Sequence, residues 1–240
     1  MLHRLYTSLV VLLSLIVGVH TVHGQDFVAE VSAGYASFNM VDMKAFQKRE
    51  ASSAPGNAQI VASFPGYINY GHHFLFSHKK FFAGVGLGHT STGGKISSRD
   101  YSGSYTNEQS VSMTYGDLKC GINIGSVKKV DVYLGMQTAL YFNSLKLHSE
   151  TIIGGQTRSS SSDSYTSESL GFNGFVEAQR KINRLFLKVN VGIELNFTND
   201  LTSDGTNDTR FDSSNPATLN PSGVRLNMGV GYVLARARRS

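Results

Sequence analysis

LFLKVNVGIELNF, from Leu185 to Phe197, alternates with a period of two along its whole length. Leu185, Leu187, Val189, Val191, Ile193, Leu195 and Phe197 share one parity, and Phe186, Lys188, Asn190, Gly192, Glu194 and Asn196 the other. Successive side chains leave a pleated backbone on opposite sides, so the segment reads as a strand with one wholly apolar face. Strands in soluble domains run to about 5–6 residues, whereas a tilted strand crossing a bilayer takes about 9–11. This one is long enough to cross.

The same pattern recurs on both sides of it. Val224, Leu226, Met228, Val230, Tyr232 and Leu234 oppose Arg225, Asn227, Gly229 and Gly231, and Val132, Leu134, Met136, Leu140 and Phe142 oppose Asp131, Tyr133, Gly135, Gln137 and Ala139. Weaker alternation marks strands over 26–37, 64–76, 81–90, 111–124 and 170–180, eight in all. In the fourth of these, Val111, Met113 and Tyr115 sit on the opposite parity to Leu118, Cys120, Ile122 and Ile124, which predicts a bulge near Gly116. Short connections at 77–80, 126–129 and 181–184 alternate with long ones at 38–63, 91–110, 149–169 and 198–222. Tight turns at one end and long loops at the other are the asymmetry of outer-membrane barrels. The expected fold is therefore all-β: an eight-stranded antiparallel up-and-down transmembrane β-barrel with short periplasmic turns and long outer loops.

Alternation alone does not separate this fold from a soluble, lipocalin-like barrel, which is the same pattern turned inside out. The polar face decides. It carries Gly84, Gly86, Gly88, Gly121, Gly135, Gly192, Gly229 and Gly231, residues suited to the crowded interior of an eight-stranded barrel and not to a solvated exterior. Its charges are Glu30, Asp117, Lys119, Asp131, Glu177, Lys188, Glu194 and Arg225, of both signs, and are expected to pair in the lumen. The apolar faces of the three best strands carry none, as they should where a Lys or Arg costs roughly 2–4 kcal/mol at the midplane. The aromatic residues Tyr133 and Phe186 on the inner face argue against an open pore.

The N-terminus is that of an exported chain. Arg4 precedes the apolar run Leu9–Val19, and Val22-His23-Gly24 suits cleavage before Gln25, so residues 1–24 are expected to be a signal peptide and 25–240 the barrel domain. Removing 1–24 takes one base and no acid from the chain's 22 basic and 17 acidic residues. The small positive excess gives no reason to expect a nucleic-acid partner. Cys120 is alone, so the fold rests on pairing and packing and not on an intrachain disulfide. Many basic residues gather at the short-turn end: Lys79, Lys80, Lys128, Lys129, Arg180, Lys181, Arg184, Arg236, Arg238 and Arg239.

Two resemblances fit this reading. Asn227-Met228-Gly229-Val230-Gly231-Tyr232-Val233-Leu234 resembles the C-terminal signal read by the outer-membrane barrel assembly machinery, with Asn227, Gly229, Tyr232 and Leu234 in the signal positions and the chain continuing past it through Ala235–Ser240. The runs Met40–Gln47, Thr92–Ile96 and Asp100–Tyr105 resemble those of small outer-membrane β-barrel proteins of the Bacteroidetes, the PorT-like group. The resemblance implies outer-membrane residence, with lipid and lipopolysaccharide as surroundings, and little about activity.

Catalytic candidates are few. His89 and Ser91, both on the lipid-facing parity, resemble the His-x-Ser pair of outer-membrane lipid A deacylases, but serine attack also needs a carboxylate to orient the base, and only Asp100 and Glu108 are near in sequence. His72 and His73 are adjacent in a strand, point to opposite sides and are expected at the interface, not on a metal. No cofactor motif occurs. Residues 39–50 are expected to form a short helix over the barrel mouth, capped by Asn39, with Asp42 in its first turn and Met40, Met43 and Phe46 on one face. Ser159–Ser162 reads as a loop tip. The expected role is non-enzymatic, whether structural, adhesive or assembly-associated, with a small solute pore as the alternative and, behind it, a lipid A-modifying hydrolase using His89 and Ser91.

Overall fold

The computed structural model describes residues 26–54, 57–78, 80–199, 201–203 and 218–235. The expected signal segment, Lys79, Arg236, Arg238 and Arg239 lie outside the described residues. The barrel elements are β1 (Asp26–Ala36), β3 (Tyr67–His78), β4 (Phe81–Arg99), β5 (Gly103–Val127), β6 (Val130–Ile153), β7 (Gln156–Ile182), β8 (Leu185–Thr198) and β10 (Gly223–Ala235). Between them lie a helix, α1 (Val41–Ser53), and two short strands, β2 (Gln59–Ser63) and β9 (Thr202–Ser203).

Every pairing is antiparallel. The eight long strands pair in chain order, and β10 closes the ring on β1 through a ladder from Phe27↔Ala235 to Ala36↔Arg225. Closure removes the free edges that an open sheet of this length would present. The short-turn end is tight. Lys128 and Lys129 both take positive φ between β5 and β6, as a two-residue hairpin turn requires.

Burial alternates in step with the sequence. In β8, Phe186, Lys188, Asn190, Gly192, Glu194 and Asn196 are buried, while Leu185 through Phe197 on the other parity are exposed, Ile193 by 64% and Phe197 by 67%. Leu87 is 67% exposed and Met228 66%. A water-soluble protein buries such residues; here they form one continuous outer belt, the arrangement of a transmembrane barrel. From Leu185 to Phe197 the belt runs about 40 Å along the strand, or about 28 Å at a tilt of roughly 45°, which matches a hydrocarbon core.

The glycines on the inner face make room for aromatic rings. A Cβ on Gly135 would stand 2.3 Å from the Phe175 ring and 2.6 Å from the Cys120 carbonyl oxygen. Since one of those neighbours is backbone, Gly135→Ala is expected to destabilise the barrel by about 1–3 kcal/mol, read as a lower denaturant midpoint for loss of the folded gel band.

Several expectations need correction. The long connections 91–110 and 149–169 are strand: β4 and β5 pair to the turn at 100–102, and β6 and β7 pair to a turn at Gly154-Gly155, both at positive φ. Ser159–Ser162 accordingly lies in β7 and not in a loop tip. No bulge occurs at Gly116; the β5–β6 register is continuous there and shifts between Asn123 and Gly125. Val111, Met113 and Tyr115 share the inner parity of Asp117 and Lys119, so what changes along β5 is the content of the interior, apolar at the mouth and charged in the middle. The second barrel strand starts at Tyr67, and Phe64 instead packs in the mouth at φ 46. Asn39 does not cap the helix. Met40 holds the cap position in the left-handed region, and no side chain caps it.

Candidate functional site: a filled lumen beneath a projecting sheet

The lumen is packed in three layers. At the short-turn end Val28, Leu75, Phe82, Tyr133, Phe175, Phe186 and Val233 form an apolar cluster, with Phe82 edge-on to Tyr133 at 5.3 Å. At the other end Met40 and Met43 of the α1 region, Phe38, Phe64 and Leu219 meet Val111, Met113, Leu145 and Leu147 of the barrel wall. Gln47 of α1 donates from Nε2 to the Ala62 carbonyl, and Asp42 Oδ2 accepts from the Thr218 amide and hydroxyl, which tie the helix into the mouth.

Between the apolar layers sits a charged one. Lys119 Nζ donates to Glu177 Oε2 at 2.7 Å and to Glu30 Oε1 at 3.3 Å. Lys188 Nζ donates to Glu30 Oε2 at 2.5 Å and lies 3.4 Å from Glu177 Oε1. Two carboxylates and two ammonium groups thus alternate around a closed square, each side chain at most 3% exposed. Each desolvated ion costs several kcal/mol, and alternation gives every charge two opposite neighbours to offset that. Lys119 also lies 5.1 Å from the Phe175 ring centroid and Lys188 5.4 Å from that of Phe82, so the aromatic floor faces the cations. His73 stands beside the square, Nε2 3.2 Å from Asp117 Oδ1 and Nδ1 3.8 Å from Glu30 Oε1.

A second pair lies toward the mouth. Arg225 Nε donates to Glu194 Oε2 at 2.9 Å, while its Nη1 and Nη2 donate to the carbonyls of Ser37 and Pro221. One guanidinium therefore joins the barrel wall to both chain segments entering the mouth. A cavity of about 20 Å³, lined in part by Asn69, His73, Asn173 and Asn190, has room for about one water molecule.

Of the charges assigned to the lumen from sequence, Glu30, Asp117, Lys119, Glu177 and Lys188 converge, and Glu194 and Arg225 pair separately. Asp131 joins neither group: it is half-buried near the β5–β6 turn, where Ser126 Oγ donates to it. His73 is the residue the sequence reading missed, being 5% exposed inside the barrel and not at an interface. Its neighbours held the signal, since Ile68, Tyr70, Phe74 and Phe76 on the opposite parity mark the outer face and leave position 73 inside.

His89 and Ser91 do share the outer face of β4. His89 Nδ1 lies 3.0 Å from Thr114 Oγ1, and Ser91 pairs across to Ser112. The two candidate carboxylates are engaged elsewhere. Asp100 accepts from the Ser102 hydroxyl and the Ser102 and Gly103 amides, which hold its carboxyl below the usual range. Glu108 accepts from Lys95 at 2.7 Å, which lowers it likewise. Among the described residues no three His, Cys, Asp or Glu side chains are grouped to hold a metal ion. In β10, Asn227 and Gly229 face the lumen and Tyr232 and Leu234 the outside; Asn227 donates to Asn190 Oδ1.

Beyond the belt, β4 to β7 continue as a projecting sheet. The outer face of β5 changes from Leu118, Cys120, Ile122 and Ile124 to Ser104, Thr106, Glu108, Ser110, Ser112 and Thr114, and β6 carries Lys146, His148 and Glu150 on the same side. A row of Lys95, Glu108, His148 and Ser162 crosses four strands. These residue types require water, so roughly 11–14 residues of each strand, about 35–45 Å of chain, stand clear of the belt. β2 and β9 pair to its flanks on β4 and β7.

The fold and lumen define a closed barrel with an apolar exterior, a filled interior and an extended sheet at one end. No family model and no curated protein matches the chain. Solved structures similar to it include Neisserial surface protein A (13% identity, 88% of this chain and 99% of that one, TM-score 0.35) and CarO2 of Acinetobacter baumannii (12%, 87% and 99%, 0.35). Ail, the attachment invasion locus protein of Yersinia pestis, is similar over 88% of this chain and 99% of its own at 10% identity and a TM-score of 0.29.

Proposed function

We propose that this chain is an integral outer-membrane β-barrel protein that acts without catalysis, anchoring its projecting sheet outside the membrane as a structural or adhesive surface. The observation that carries this reading is the pairing of β4–β7 far past the apolar belt, above a lumen filled at both ends. An adhesive surface must be held stiffly away from the lipid headgroups, and continuous ladders do that where separate loops would not. The export signal expected at 1–24 and the β-signal positions Asn227, Gly229, Tyr232 and Leu234 support handling by the outer-membrane assembly machinery, and the motifs at 40–47, 92–96 and 100–105 support a PorT-like relative.

Burial of the lumen layers speaks against the solute pore, and the engaged carboxylates speak against a hydrolase built on His89 and Ser91. The test uses the full chain expressed in a Gram-negative host. Protease added to intact cells is expected to cut within 91–110 or 149–169 while the barrel keeps its heat-modifiable gel migration, and planar bilayers are expected to stay silent. A chain that fractionates without detergent, or one that conducts steadily, would contradict the reading.

A further inference from the structure

Arg180 borders the apolar belt at the short-turn end. Arg180 of β7 has the outward parity, in a row across four strands with Leu187, Val230 and Val31. On the β8 side one more apolar row, Ile182, Leu185, Tyr232 and Ala29, separates it from the short turns, while on the β6 side the ladder ends at Asp131↔Gln179 beside the Lys128–Lys129 turn, so Arg180 lies at the inner margin of the rim. Its neighbour Lys181 is bound to Asp26 at 3.1 Å, whereas Arg180 has no ion pair or hydrogen bond among the described residues.

The surface beside it is hollow. In the row on the opposite side, Ala178 and Ala33 flank Val189 and Met228, and these small side chains leave a groove of about 610 Å³ whose only outward charge is Arg180. Lys188, also at this groove, turns its ammonium into the lumen.

We propose that this groove holds a glycerophospholipid of the leaflet at the short-turn end, with its phosphate on the Arg180 guanidinium and one acyl chain lying over Ala178 and Ala33. An unpaired guanidinium facing hydrocarbon is costly, and an Arg at the inner margin of the rim reaches the headgroup level by extending its stem. Its planar fork matches phosphate oxygens two at a time. The groove supplies the apolar half of the same ligand. The inference rests on the membrane placement proposed above.

The test is native mass spectrometry of the full-length protein, purified and delipidated in detergent, then titrated with phosphatidylglycerol. One adduct is expected at low lipid. Arg180→Gln and Ala178→Trp, the second of which keeps the cation and fills the groove, are each expected to weaken it about tenfold, and Arg180→Lys less. Inorganic phosphate at the same concentration should not displace the lipid, and diacylglycerol should not replace it. An adduct unchanged in both variants, or equally formed by diacylglycerol, would overturn the proposal. Heat-modifiable migration is recorded on the same samples. Its absence from the unsubstituted protein would count against the membrane reading itself, whereas a shifting, lipid-indifferent protein counts against the groove alone.

Discussion

Glu177→Ala is expected to cost the folded barrel about 3–5 kcal/mol, because it leaves Lys119 and Lys188 in the lumen with one carboxylate between them. Glu177 is fully buried and contacts both ammonium groups, at 2.7 and 3.4 Å. The only other carboxylate in the square, Glu30, already serves both lysines. Apolar layers close the lumen above and below, which leaves the water-sized cavity beside His73 and Lys119 as the space from which the stranded charge can be hydrated. The chain has no tryptophan, so the folded fraction is best followed by cold gel migration through a urea series. A second change separates stranded charge from lost packing: adding Lys119→Met to Glu177→Ala restores charge balance around Glu30 and Lys188 and should recover a substantial part of the loss. A loss below about 1 kcal/mol for the single variant would mean that the square is hydrated and adds little.

Val191→Arg should have a comparable effect for the opposite reason. Val191 lies midway along the outer face of β8, between Leu185 and Phe197, and is 52% exposed. On a water-soluble barrel a substitution at such a site would be nearly neutral, within about 0.5 kcal/mol. Facing the middle of a bilayer it is expected to cost about 2–4 kcal/mol, measured by reversible unfolding from lipid vesicles. The same change at the rim, Leu185→Arg, should cost under about 1 kcal/mol, because depth sets the penalty. A flat profile along β8 would contradict the membrane placement.

The sequence disclosed the barrel because lipid on one side and a crowded lumen on the other force strict alternation, as in β8 and β10. It disclosed less wherever that contrast fades. Above the belt both faces of β6 and β7 meet water or a mouth core, so Ser159–Ser162 reads as loop although it is paired, and only Gly154-Gly155, a two-residue turn signal, betrays the hairpin. In β5 the apolar residues change sides between Tyr115 and Leu118, where the register does not slip, because the interior itself turns apolar under α1. The lumen charges were legible by parity, yet which of them meet depends on the shear that brings β1, β5, β7 and β8 to one level, and no single strand encodes that. Arg180 was read with the soluble basic residues of the turn, though its parity places it among Ile182, Ala178 and Val176 on the outer face.

Nitroxide accessibility in reconstituted vesicles tests the orientation of the wall most directly. The one native cysteine, Cys120, already lies on the outer parity of β5 between Ala83 and Met136. A label there, and one at Val191→Cys in a Cys120→Ala background, should collide with dissolved oxygen and be shielded from a water-soluble nickel chelate. A label at Ser161→Cys in the same background should show the reverse. Chelate access at positions 120 and 191 equal to that at 161 would mean that the branched aliphatic face meets water, and the barrel would have to be read the other way out.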